Sequence, residues 1–430
     1  MISHLNKAVL SGPLLELERK MLDATPAIEH WFRLKWQAYA PPFYGSVDLR
    51  NSGFKLAPVD MNLFPGGFNN LPPDFLPLCV QAAMVVVDKI CPKAKNMLLI
   101  PENHTRNLYY LQNVSCLMTI LRQAGMDVRI GSILPDLAFP APIDLPNGTS
   151  LLLEPLVRRG NRLGLEGFDP CAILLNNDLS AGIPEVLQDL DGQIVLPPLH
   201  AGWAVRRKSN HFSAYDEVAD EFSRLIDIDP WRINPYFSVC NYVNFHERQG
   251  EECLAANVDA VLQLIREKYK EYGINEKPFV VVKADAGTYG MGVMTVKDAS
   301  EIVALNRKQR NKMSVVKEGL NVTQVIIQEG VHTHEQVSSG TAEPVVYMIG
   351  RYVVGGFYRV HPHRGVDENL NAPGMHFEPL TCETRGCLPD PGKKPDDPPN
   401  HCYAYGTVAK LAQLAASLEL ERTAPANAAR

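Results

Sequence analysis

Between Pro278 and Val296 the chain reads Pro-Phe-Val-Val-Val-Lys-Ala-Asp-Ala-Gly-Thr-Tyr-Gly-Met-Gly-Val-Met-Thr-Val, a pattern that few local folds can accommodate. The apolar, valine-rich run Phe279–Val282 predicts a strand that delivers one lysine, Lys283, and a second strand is predicted over Val293–Val296. Glycines 287, 290 and 292 lie between them. A dinucleotide fingerprint or a P-loop needs a helix to open directly after its glycines, so that the helix N-terminus meets the phosphates. Here a strand follows instead. The expected element is a hairpin with a glycine flap, Gly287-Thr288-Tyr289-Gly290-Met291-Gly292. Its backbone N–H groups can fold over a polyphosphate while Lys283 neutralises charge at the base. A glycine-rich surface hairpin with a chance lysine is the alternative.

A chain of 430 residues is too long for one small core, and two or three sub-domains are expected. Its 42 Lys and Arg stand among 48 acidic residues, a net charge of −6, so nucleic acid is not an expected partner. No stretch approaches eighteen apolar residues, and Met1 to Lys20 lacks the apolar core of a signal peptide. No membrane contact and a cytoplasmic location follow as expectations. Of nine cysteines, Cys79, Cys91, Cys116, Cys171, Cys240 and Cys253 fall singly and read as reduced structural thiols. Cys382, Cys387 and Cys402 with His401 form the one group to weigh as a zinc site, and their spacing and Pro-rich insert fit it poorly.

Residues 1–40 read as helical, and residues 46–70 then lose any periodic pattern. Asp48, Arg50, Asn51, Lys55, Asp60, Asn62, Asn69 and Asn70 alternate there with Phe54, Phe64 and Phe68. An ordered loop holding polar groups on an apolar base is expected, a form suited to small zwitterionic ligands; a structural Ω-loop is the alternative. Strand 96–100, helix 105–124 and strand 127–130 make a β-α-β unit, and its first turn offers Glu102, Asn103, His104 and Arg106 at a strand's carboxyl end. Residues 131–200 are loop-rich, with strands at 150–153 and 172–175 and a helix after Pro184. Arg206, Arg207 and Lys208 face an anion or form a solvated basic turn. A helix over 253–272 leads into the flap, and a helix over 300–309 and a strand over 322–328 follow it. Next come a hairpin of 344–349 with 352–360, carrying Arg359, and a helix over 405–422.

Strand with Lys283, flap, strand, helix, strand ending Gln328-Glu329, then a pair carrying Arg359 and a loop with Glu368 and Asn371: this order resembles the ATP-grasp fold. The resemblance implies α/β sub-domains that hold ATP between them. Residues 1–200 would form an N-terminal α/β substrate-side domain and residues 201–430 the ATP-grasp region, with the flap sub-domain at about 275–330. It further implies that Lys283 and the flap touch phosphates, that backbone at Gln328 and Glu329 meets adenine, and that Arg359 stabilises the transferred phosphoryl group; Lys208, read from its basic run, would add a phosphate contact. Glu368, Asn371 and Glu343 would hold Mg²⁺, although the Glu-x-Asn pair usual at the end of a late strand is not visible.

At a finer level the stretches Val47–Asn70, Pro101–Asn107, Arg206–Phe212 and Val282–Val293 resemble the proteobacterial ATP-grasp type of glutamate–cysteine ligase. That resemblance implies formation of γ-glutamylcysteine from glutamate, cysteine and ATP through an acyl phosphate, the first step of glutathione synthesis. By charge complementarity alone, not by the resemblance, Arg50, Lys55, Asp60, Asn62, Asn69 and Arg106 are the expected amino-acid contacts. A homo-oligomer is left open. Another ATP-grasp carboxylate–amine ligase, or a non-catalytic nucleotide-binding protein on the same scaffold, would share much of this pattern.

Overall fold

The computed structural model describes residues 13–92, 95–103, 107–134, 136–287, 292–314, 321–337, 340–380 and 401–425. Helices and strands are mixed along the chain in an α+β arrangement built on three larger sheets. The hairpin expected at 278–296 is the core of one of them. Strands Val280–Ala284 and Val293–Val296 pair antiparallel with Lys283 opposite Val293, and Gln324–Glu329 and Phe237–Asn241 extend the sheet beyond. Helix Glu251–Glu271 covers this flap sheet. Its buried stripe of Leu254, Val258, Val261, Leu262, Ile265 and Tyr269 shares a core with Val280, Val282 and Ile327. At roughly 1.5–3 kcal/mol per buried aliphatic side chain, that stripe rather than helix propensity holds the helix down.

A second sheet contains the expected β-α-β unit. Ile194–Leu196, Ala172–Asn176, Asn96–Pro101, Asp127–Ser132 and Ser150–Pro155 run parallel, and Ala141–Asp144 closes one edge antiparallel. Asn96–Pro101 is flanked first by Asp127–Ser132 and then, after the chain returns, by Ala172–Asn176 on its other side. The carboxyl ends of Asn96–Pro101 and Ala172–Asn176 therefore flank a topological switch point. The helix expected after Pro184 is a single 3-10 turn, Glu185–Leu187.

The third sheet corrects the reading of residues 46–70 as a loop. Tyr44–Asn51 and Leu56–Asn62 are strands, antiparallel to each other, and the first pairs with Gly340–Ile349, so the sheet joins residues from both sides of position 200. Tyr352–His361 and His376–Pro379 extend it, and the short Gln336–Val337 also pairs with Gly340–Ile349. Val47 and Leu49 alternate with Asp48 and Arg50, the period of a strand. One face of the sheet lies under helix His401–Thr423, whose Val408, Leu411, Ala412, Leu414 and Ala415 are buried. Its other face carries the polar residues.

Helix Lys208–Ile226 was also not anticipated. It packs on His401–Thr423, and Arg206 just before it is buried in a two-pronged pair with Glu419 at 2.8 and 2.9 Å. Arg207 donates to the nearby carbonyls of Val205 and Arg206. Of the three basic residues read as a possible anion site, only Lys208 reaches the cleft described next. Among the described residues no helix is long and apolar enough to cross a membrane.

Candidate active site

The polar face of the central sheet and one face of the flap sheet line a common cleft that opens to solvent. The central sheet contributes Asp48 and Arg50 from one strand, Asp60 from the next, and Glu343 and Arg359 from the late hairpin. The flap sheet contributes Lys283 and Gln328; Lys208 and Gly287 stand at its end, and Glu368 and Asn371 at the rim. Register explains the grouping. Asp48 is directly opposite Asp60, and Glu343 is opposite Arg359, so each pair projects from the same face.

Charges in the cleft are paired but not exhausted. Arg359 Nη1 donates to Asp48 at 2.7 Å and to Glu343 at 2.6 Å, and Arg50 Nε donates to the other Glu343 oxygen at 2.9 Å. Burial pushes the Glu343 carboxyl up, but Arg50 and Arg359 outweigh it and hold the group below the usual carboxylate range. For Asp48 burial wins: its carboxyl is raised, with Glu343 and Asp60 adding to the effect against Arg359. Asp60 is lowered, because Lys208 and Lys283 outweigh its burial. Gln328 Nε2 and Arg359 Nε are buried donors with no hydrogen-bond partner in the described structure. A buried donor without an acceptor is costly, and both belong to residues lining the cleft, where a ligand oxygen would satisfy them.

Lys283 spans the two sheets. Its Nζ donates to Val59 O on the central sheet and to Gln328 Oε1 on the flap sheet, each at 2.7 Å. Lys208 Nζ sits 3.8 Å from the centre of the Trp203 ring and donates to Gly287 O at 2.9 Å, so it touches the flap at its first glycine. Asp285, at the flap's base, caps the helix that begins at Lys208: it accepts from Ser209 N at 2.8 Å and Ser209 Oγ at 2.7 Å. Burial holds the Lys283 ammonium down to about 8, with Asp60 opposing and Lys208 and Arg50 reinforcing the shift. Lys283 is therefore charged below about pH 8 and loses its charge above it. The affinity of the free protein for ATP is expected to fall several-fold between pH 7 and 9. Lys283→Arg, whose guanidinium stays charged over this range, is expected to flatten that profile in a calorimetric titration. An unchanged pH profile in the arginine variant would remove Lys283 as its cause.

Other expected site residues lie elsewhere. Lys55 is fully buried beneath the cleft, donating to Glu329 at 2.7 Å, and that carboxylate also accepts from Trp231 Nε1 at 3.0 Å and Tyr236 N at 2.9 Å. The Glu329 N–H itself donates to Tyr236 O at 2.7 Å. Asn62 Oδ1 accepts from Phe64 N at 2.9 Å. Asn69 lines a separate pocket beside helix Leu108–Gln123. His104, Arg106, Thr288, Tyr289, Gly290 and Met291 lie outside the described residues, as do Cys382 and Cys387.

Among the expected metal residues, Glu343 is occupied by Arg50 and Arg359. Glu368 accepts from Arg364 at 2.6 Å and Gly365 N at 2.7 Å, and Asn371 is exposed. No group of three His, Cys, Asp or Glu side chains among the described residues is placed to hold a metal. Sequence reading counted Asp48 among the polar residues of 46–70 but gave it no role, and took Asp60 and Asn62 as amino-acid contacts. Asp60-Met61-Asn62 is an acid-x-Asn pair, but on an early strand; only the sheet order puts it among the late strands.

The family model for glutamate–cysteine ligase matches residues 18–420. The chain belongs to the glutamate–cysteine ligase family. It is an ATP-dependent ligase that joins glutamate to cysteine in glutathione biosynthesis, as the resemblance implied. The ligase is 65% identical to a protein of Methylobacillus flagellatus KT provisionally named gamma-glutamylcysteine synthetase. Their structures align over 98% of this chain and 99% of that one with a TM-score of 0.90. Two other solved structures align loosely. D-alanyl-alanine synthetase A of Vibrio cholerae is 11% identical over 74% of this chain and 81% of that one, with a TM-score of 0.34. A glutathione synthetase-like effector of Globodera pallida is 10% identical over 81% and 77%, with a TM-score of 0.37. At those scores neither likeness bears on the ligase's site. No curated protein matches the chain.

Proposed function

We propose that this cleft binds ATP with Mg²⁺ in the manner of an ATP-grasp enzyme and that ligation runs through γ-glutamyl phosphate. The observation that carries the reading is the convergence of Arg50, Lys208, Lys283 and Arg359 on one cleft, with two buried donors unmatched by protein acceptors. Phosphoryl transfer depends mainly on positioning and charge neutralisation, and these residues supply both. Lys283 and Lys208 bind phosphate oxygens, Gln328 Nε2 meets the nucleotide, and Arg359 Nε meets the oxygens between which phosphorus is passed. Asp48 and Asp60 would hold Mg²⁺, with Asn62 nearby on the same strand, and the ion would offset phosphate charge. Two facing carboxylates suffice, since magnesium takes oxygen ligands and keeps several waters. Glu343 keeps both arginines in place.

The reaction then balances simply. A γ-carboxylate oxygen of glutamate attacks the γ-phosphorus and ADP leaves. The cysteine amine attacks the acyl carbon, phosphate leaves, and the nitrogen sheds a proton. The amino acids enter from the switch point at Glu102 and Asn103, a crevice joined to the loop after Asn62 by the bond from Asn176 Nδ2 to Pro65 O at 2.9 Å.

The test is glutamate labelled with ¹⁸O in its γ-carboxylate. One labelled oxygen is expected in inorganic phosphate per turnover, and unlabelled phosphate would rule out the acyl phosphate. A second expectation separates the metal assignments. Asp60→Asn should raise the Mg²⁺ concentration for half-maximal rate at least about 10-fold, the scale on which supporting residues of metal sites already act. Glu368→Gln should leave it within about 3-fold, and the reverse ranking would return the metal to the rim.

A further inference from the structure

Helix Glu251–Glu271 meets strand Phe237–Asn241 at two cysteines. Cys240 is buried, Cys253 is exposed in the helix's first turn, and their Sγ atoms lie 3.4 Å apart. The Cys240 thiol donates to the Cys253 sulfur and, at 3.9 Å, to Asn241 O. Asn257 Nδ2 donates to Cys253 Sγ at 3.4 Å and to Cys253 O at 2.8 Å. Asn257 is fixed in turn by Ser238 Oγ, which donates to its Oδ1 at 2.6 Å. The connecting loop is also set. Tyr242 and Arg248 hold left-handed φ angles of 63° and 60°, and Asn244 and Gln249 exchange two backbone hydrogen bonds of 3.0 Å. Neither cysteine lines the cleft, and nothing in ligation uses them.

We propose that Cys240 and Cys253 form a thiol–disulfide exchange site, oxidised to an internal disulfide by small aminothiol disulfides such as cystine. A disulfide needs its sulfurs at about 2.05 Å, so closure asks for a movement of roughly 1.4 Å at a strand–helix contact already in place. Exposure makes Cys253 the sulfur that a dissolved disulfide reaches first. Burial pushes the Cys240 thiol up to about 12, which keeps it from attacking a dissolved disulfide first; its part in the second step rests on the Cys253 sulfur held 3.4 Å away. Cys253 thiolate attacks one cystine sulfur, forming a mixed disulfide and releasing cysteine thiolate. Cys240 then gives up its proton and attacks Cys253 Sγ, releasing the second cysteine. Two protein thiols are oxidised and one cystine is reduced to two cysteines. The oxidant is the oxidised form of the ligase's own substrate.

Reduced full-length protein is treated with cystine, quenched in acid, alkylated and mapped by mass spectrometry; Arg248 lets trypsin separate the two cysteines. The expected product is a peptide pair joined through Cys240 and Cys253 with loss of two hydrogens, formed before Cys79 or Cys116 reacts. Cys240→Ser should stop at a half-cystine adduct on Cys253. Cys253→Ser, a change at an exposed side chain, should leave Cys240 unmodified. The oxidised wild type should melt several degrees higher and return with dithiothreitol. A stable adduct on wild-type Cys253 without the internal bond, or Cys253 reacting no faster than Cys79 and Cys116, would overturn the proposal.

Discussion

Lys283→Ala is expected to lower kcat/KM for ATP by about 10²–10³-fold, the usual consequence of deleting one donor aimed at developing charge. The cause lies in where the ammonium stands. It is the side chain that reaches from the flap sheet to Val59 on the central sheet, so it meets whatever lies between them. The alanine variant also leaves the buried Gln328 Oε1 without its partner, which should cost about 1–3 kcal/mol of stability. Rates of ADP release with glutamate and cysteine present measure the first effect, and thermal melting the second. Activity within tenfold of wild type would end the assignment of Lys283 to the phosphates.

Lys55→Ala should behave in the opposite way, with a large loss of stability and no direct effect on substrate contacts. Its ammonium and the Glu329 carboxylate are each about 1% exposed, and the ammonium also lies 4.5 Å from the Trp231 ring centre. Removing one partner leaves a buried charge, which costs about 3–5 kcal/mol. Urea unfolding should show a lower midpoint at an unchanged slope, with KM for both amino acids near wild type under conditions where the variant is folded. Lys55→Met combined with Glu329→Gln should recover much of the loss, because neither member is then an uncompensated ion. A variant that kept its stability but lost affinity for an amino acid would return Lys55 to the substrate site.

These two lysines also mark what could be read from the chain. Lys283 was legible because its hairpin is local: both strands and the turn lie within twenty residues, and a strand after the glycines excludes the common phosphate loops. Lys55 was misplaced because its environment is assembled from far away, with Glu329 274 residues on. The strands around it were hidden for a related reason. Tyr44–Asn51 and Leu56–Asn62 are short, interrupted by a tight turn at Gly53 and a register shift at Asp48, and their stabilising partner begins at Gly340. Helix Lys208–Ile226 opens on basic residues that suggest a solvated turn, and its cap, Asp285, is remote in sequence. Arg50, Asp60, Lys208 and Arg359 nevertheless came together in one cleft, because charged residues at strand spacing remain where the backbone puts them.

The central sheet also sets an order of events during synthesis. Tyr44–Asn51 leaves the ribosome long before Gly340–Ile349, and the gap between them, residues 52–339, is 288 residues. At 5–20 residues per second the early hairpin waits on the order of 15–60 s with one edge unpaired. Until the late strands arrive, Asp48 has no Arg359 and the cleft has only one wall. The nascent chain must keep a bare, partly apolar edge from meeting another copy of itself, a hazard that the finished sheet no longer shows.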